Sequence, residues 1–194
     1  RSGAFVEWSN PLELVVGTVL SAQCTDKRVN EITKTLFKKY KTARDYARAN
    51  IRALEKEIYS TGFYKSKAKY LKGIGERLEK DFGGRVPGRL DDLLTLPGVS
   101  HKSAHLIMAK VFGKFTGIAV DTHVSRLAPR LGLTKAKDVK KMAADLENFF
   151  PPKEYLNVNE YLIMHGRAIC KPRPLCAECV LLDICPSAKI FLGN

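Results

Sequence analysis

Two side chains in one short stretch have the types and spacing for covalent chemistry. Lys102 lies just beyond a Pro-Gly turn in LPGVSHKSAHLIMAK, and Asp121 follows 19 residues later in IAVDTH. A neutral amine attacks electron-poor carbon, and a carboxylate stabilises positive charge growing beside it or takes up a proton. Singly, each residue has an ordinary reading: Lys102 as a solvated charge on a helix face, Asp121 as a helix N-cap. A third group lies near the C-terminus, where Cys170, Cys176, Cys179 and Cys185 form C-x5-C-x2-C-x5-C. Four thiols so densely spaced read as metal ligands. One close pair flanked by single cysteines fits a 4Fe-4S cluster better than the two close pairs usual for zinc. Two disulfides are the weaker reading without a visible secretory signal. The fifth cysteine, Cys24, follows an apolar run and reads as a small buried side chain.

These groups must be held by helices. Of 194 residues, 45% are hydrophobic, enough for one good core or two small ones, and almost no segment alternates with a period of two. Pro11 opens a strongly apolar helix through Gln23. Asp26 reads as the cap of a second helix to Tyr40, with Val29, Ile32, Leu36 and Phe37 at helical spacing. Short helices are expected over 43–59, a longer one over 64–82 ended by Gly83 and Gly84, a short one before Leu96, and another over 100–112. Three more follow near 122–131, 136–150 and 157–169. The class is all-α, with a domain crossing expected at the Gly113 to Gly117 turn.

Charge narrows the partner. Thirty-three Lys and Arg against 20 Asp and Glu give a formal net charge of +13, which favours a polyanion, nucleic acid first. No apolar run approaches the roughly 18 residues of a spanning helix. The chain starts at Arg1 rather than Met, so an upstream targeting segment stays open. In Leu96-Pro97-Gly98-Val99-Ser100, proline stops one helix and Gly98 can take a positive φ, joining two helices in a hairpin. The second helix starts with backbone N–H groups that lack intrahelical partners and carry partial positive charge, a phosphate site that His101 and Lys102 would strengthen. An ordinary αα-hairpin is the plain alternative.

Taken together, Leu96 to Lys102, VDTH at Val120 to His123 and the four-cysteine loop resemble the helix-hairpin-helix DNA glycosylases, in particular their endonuclease III branch. LSAQCTD at Leu20 to Asp26, TGFYKSKA at Thr61 to Ala68 and MHGRAIC at Met164 to Cys170 extend the resemblance over nearly the whole chain. It implies a two-lobed fold: a six-helix barrel with the hairpin over residues 4–114, and a cluster lobe carrying a 4Fe-4S cofactor on the four cysteines over 115–194. DNA would cross the groove between them. The N-terminal helix that completes the second lobe in relatives is largely absent from this sequence.

By the same resemblance, Lys102 is the nucleophile and Asp121 the essential carboxylate of a bifunctional DNA glycosylase and AP lyase. The implied substrates are oxidised or ring-saturated pyrimidines in duplex DNA. Relatives that only excise a base, such as the adenine-removing branch, lack a lysine there. A monofunctional mismatch or adenine glycosylase and a noncatalytic iron-sulfur DNA-binding protein are the rival readings. Gln23 would fill the gap left by an extruded base, and Phe63 would wedge against the opposite one, where many relatives carry leucine. Their plain readings are a polar helix end and a core aromatic. Leu96, Gly98, Val99, Ser100 and His101 would contact the DNA backbone, as would Lys171 and Arg173 in the cysteine loop; Ser21 and His123 would line or support the lesion pocket. The first cysteine gap is one residue shorter, and the Lys102 to Asp121 interval one longer, than in the familiar pattern. A monomer in a prokaryotic cytoplasm is the expected setting.

Overall fold

The computed structural model describes residues 6–192. Residue 4, where the first lobe was expected to begin, lies outside them. The described residues form eleven α-helices with short 3₁₀ turns and no strand. None is long and apolar enough to cross a membrane. The chain separates into two compact units, Arg1–Phe112 and Gly113–Asn194.

In the first unit, α1 (Pro11–Leu20) starts where Asn10 Oδ1 accepts the Glu13 amide at 3.1 Å and Pro11 supplies a preset φ. Leu14, Val15, Val16, Val19 and Leu20 are all buried, so this helix is the centre of the core. It ends three residues short of the expected Gln23, because Gln23 has a φ of 55° that no right-handed helix accommodates. α2 (Asp26–Lys39) is capped by Thr25, whose hydroxyl accepts the Arg28 amide; Asp26 sits in the first turn instead of capping it. The short helices expected over 43–59 are α3 (Ala43–Ala47) and α4 (Ile51–Glu57), each with its own side-chain cap, Thr42 and Asn50.

α5 (Tyr64–Phe82) is the longest helix. A Cβ at Gly75 would lie 2.5 Å from Ala43 O and Ala47 N, so glycine is what lets α3 pack against it. Two α5 lysines reach across to other helices: Lys72 Nζ donates to Ala47 O and Ala49 O, Lys67 Nζ to Leu20 O. α6 (Leu90–Leu94) and α7 (His101–Phe112) complete the unit.

The second unit comprises α8 (Thr122–Arg130), α9 (Val139–Phe149), α10 (Tyr155–Ala168) and α11 (Ala188–Leu192). α8 packs against α9 and α10 around Ile118, Val124, Leu127, Ala128, Met142, Leu146, Val158 and Leu162. This unit was expected to be an iron-sulfur domain. Among the described residues no group of three or more Cys, His, Asp or Glu is placed to hold a metal ion, so the all-α class stands and the cluster domain does not. Its order comes from an apolar core of its own.

Candidate active site and DNA-contact elements

The α6–α7 connection is a tight turn. Val99 N–H donates to Leu96 O at 3.2 Å, with Pro97 and Gly98 between them and Gly98 at φ 77°, the pattern of a type II turn. Gly98 is required twice over, since a Cβ there would also stand 2.7 Å from the Tyr70 ring. Leu96 and Val99 are buried and anchor the turn in the core, so any DNA contact they make is through backbone. Gly98, Ser100, His101 and Lys102 are exposed. Ser100 Oγ accepts the Ser103 amide at 3.2 Å and its carbonyl accepts the Ala104 amide, which sets the start of α7. Lys102 is thereby held in the first turn of a capped helix. Gly98→Ala is expected to cost about 1–3 kcal/mol, from positive φ and the tyrosine clash together, read as a lowered melting temperature with weakened binding of undamaged duplex.

Asp121 caps α8. Its Oδ1 accepts the amides of His123 and Val124, each at 2.9 Å, and its Oδ2 lies 3.6 Å from His123 Nδ1. The capping role of an isolated aspartate is thus fulfilled, and it fixes the carboxylate's rotamer at the positive end of a helix dipole. His123 packs beside it, three-quarters buried.

Gln23 and Phe63 share an unusual property: they are the two non-glycine residues with positive φ among the described residues, at 55° and 49°. Such backbone costs about 1–2 kcal/mol for an L-residue. Both side chains are exposed, Phe63 at 67%, so Phe63 is no core aromatic. Strain at exposed residues is maintained by their surroundings and points to use of the side chains. Phe63→Gly is therefore expected to leave stability unchanged or raise it by up to about 1 kcal/mol, measured by thermal melting. Ser21, the C-cap of α1, bonds back through its hydroxyl to Gly17 O at 2.8 Å and supports the Gln23 turn.

One residue of this neighbourhood was not anticipated. Lys67 is 3% exposed, and its Nζ donates to Leu20 O and Thr61 O, both at 2.8 Å. Burial pushes its pKa below the ordinary lysine value, with the Cys24 thiol opposing. The sequence did carry a signal: Lys67 falls on the same face of α5 as Ala68, Leu71, Ile74 and Leu78, a cation inside an apolar stripe.

Lys171 and Arg173 are exposed in the loop after Cys170. That loop is clamped from α8: Arg126 donates to Gly166 O and Cys170 O, and Arg130 to Lys171 O at 2.7 Å and Pro172 O at 3.0 Å. Arg130 also lies 4.5 Å over the Phe191 ring. The four cysteines correct the cofactor expectation. All are free thiols around an apolar recess walled by Leu131, Ile169, Leu182 and Phe191. Arg130 donates to Cys170 Sγ at 3.4 Å, Leu181 N–H to Cys179 Sγ at 3.4 Å, and Cys185 Sγ to Arg130 O at 3.7 Å. Desolvation, then the neighbouring thiols Cys170, Cys185 and Cys179, raise the pKa of Cys176. With no ligand group converging on a metal position among the described residues, the 4Fe-4S assignment to Cys170, Cys176, Cys179 and Cys185 is withdrawn.

Residues 16–152 match the model of the HhH-GPD superfamily base excision DNA repair protein. The endonuclease III of Synechocystis sp. is 45% identical over 185 residues, covering 95% of this chain and 84% of that protein. The endonuclease III of Bacillus subtilis is 44% identical over 179 residues, covering 91% and 81%. Both relatives are bacterial. A solved structure of a trapped endonuclease III–DNA covalent intermediate, an estranged-adenine complex, superimposes with a TM-score of 0.88 at 38% identity, covering 97% of this chain and 89% of that one. A family match over more than half the chain, together with relatives this similar along nearly its whole length, means that the chain belongs to the HhH-GPD superfamily and, within it, to the endonuclease III family.

Proposed function

We propose that Lys102 is the amine nucleophile and Asp121 the essential carboxylate of this endonuclease III family member. The enzyme is a bifunctional DNA glycosylase and AP lyase. The observation that carries the residue assignment is the placement of Lys102: exposed, in the first turn of α7, directly after a rigid backbone turn. Amides at such a helix start suit a phosphate, so a bound backbone would present its sugar to the amine.

The chemistry follows from the groups. The Lys102 amine in its neutral form attacks C1′, and the C1′–N bond breaks, with its electron pair leaving on the base. Asp121 stabilises the positive charge on the sugar as that bond lengthens and accepts the proton the amine sheds. The C1′ adduct opens to an iminium. Loss of a C2′ proton then expels the 3′ phosphate by β-elimination, cutting the strand 3′ to the site. The base must leave the duplex first, at a cost of a few kcal/mol. Gln23 fills the vacated space and Phe63 stacks against the orphaned partner. His123 and Ser21 support the pocket, and Lys171 and Arg173 add phosphate contacts that fit the formal charge of +13.

The substrates proposed are oxidised or ring-saturated pyrimidines in duplex DNA, and the setting is the cytoplasm of a prokaryotic cell. A panel of lesion duplexes assayed with and without alkali tests this reading. Strand cleavage at thymine glycol without alkali is expected. Base release that yields a nick only after alkali would instead identify a monofunctional glycosylase.

A further inference from the structure

We infer that Lys67 is a positioning residue that holds the Gln23 turn and the Phe63 loop as one unit, so that the two side chains enter the duplex together. The inference rests on the proposed roles of Gln23 and Phe63. A single buried ammonium donates to Leu20 O, three residues before Gln23, and to Thr61 O, two residues before Phe63. Its own backbone amide donates to Phe63 O at 3.0 Å, so Lys67 grips the second loop at two points.

The bond to Leu20 replaces one the helix gives up. The amide four residues on, Cys24 N–H, is turned to Ser21 O by the left-handed Gln23. Leu20 O is thus among the carbonyls that a helix end leaves without an intrahelical donor. α1 has no basic residue in its own last turn; Lys67 supplies the cation from α5, where the helix dipole favours it. The second loop is fixed internally as well. Thr61 is 2% exposed, and its hydroxyl donates to Ile58 O at 2.8 Å, which orients the Thr61–Gly62–Phe63 path. Both strained residues therefore stand directly beyond carbonyls held by the same ammonium.

A tether of this kind acts where a base has to be displaced and does little where none has to be. Single-turnover rates separate the two cases, using a thymine glycol duplex and a single-stranded oligonucleotide with a preformed abasic site. With Lys67→Met, which keeps side-chain length and removes the donors, duplex base release is expected to fall about tenfold or more, whereas borohydride trapping on the single strand stays within about twofold. Fluorescence of 2-aminopurine opposite the lesion should rise less on binding, reporting incomplete opening. Lys67→Arg, which keeps charge and donors, should recover most of the duplex rate, and it carries the comparison should Lys67→Met not fold. Equal losses on both substrates, or no recovery with arginine, would make Lys67 a structural residue only and overturn the inference. Gln23→Gly and Phe63→Gly run alongside: if neither lowers the duplex rate, the insertion reading itself fails. If they lower it while Lys67→Met does not, only the tether is wrong.

Discussion

Lys102→Gln is expected to abolish borohydride trapping on abasic and thymine glycol duplexes, and to reduce strand cleavage at least about 10³-fold. Glutamine keeps the length and polarity of lysine but cannot form an iminium. Lys102 is exposed, so its replacement should leave the melting temperature within the ordinary range for a surface change, about 0.5 kcal/mol. Binding of uncleaved lesion duplex should survive, because the Leu96–Ser100 turn and the Ser100 cap are untouched. Trapping that persists in this variant would move the nucleophile elsewhere and sink the assignment.

Asp121→Asn separates two jobs that the wild-type residue combines. Asparagine is as good an N-cap as aspartate, and its side-chain oxygen can accept the His123 and Val124 amides as Asp121 does, so folding should change by less than about 1 kcal/mol. The charge is lost, however. A neutral amide cannot offset cationic character on the sugar, and base release is expected to fall on the order of 10²–10³-fold. Asp121→Ala removes the cap as well and should cost roughly 1 kcal/mol more in stability than the asparagine variant. Single-turnover base release with thermal melting on both variants makes the comparison. Wild-type rates in Asp121→Asn would leave the residue a cap and nothing else.

Much of this fold was legible from apolar spacing. α5 and the turn before α7 fall where the glycines and Pro97 put them, because chain-breaking residues act locally. What spacing could not reveal was backbone at loop ends. The run from Pro11 to Gln23 has no breaker at its end, its one internal glycine, Gly17, standing within the helix, and only the left-handed Gln23 shows that the helix stops at Leu20. Thr25 outcompeted Asp26 as a cap, a one-residue choice that both side chains could satisfy. Phe63 could be read as core or wedge from its type alone; exposure decided that it is not core. Lys67 was passed over because a lysine within TGFYKSKA reads as solvated unless its place on the α5 apolar stripe is noticed. The cysteine spacing led furthest astray. A four-thiol pattern specifies ligand number, whereas convergence on a metal depends on directions that sequence does not state, and here the Cys170, Cys179 and Cys185 sulfurs pair with Arg130, His165 and backbone.

α8 has a consequence for which length changes this chain can absorb. Its first turn is fixed by the Asp121 carboxylate, while Arg126 and Arg130 on the same nine-residue helix grip residues 166–172. A helix turns about 100° per residue. One residue inserted between Asp121 and Arg126 would swing the carboxylate roughly a quarter turn away from the arginine clamp. One residue added between Cys170 and Cys176 would only lengthen an exposed loop whose base stays clamped. Between Asp121 and Cys176, length changes are therefore expected to be absorbed by the loop, whereas the residue count from Asp121 to Arg130 behaves as a fixed quantity.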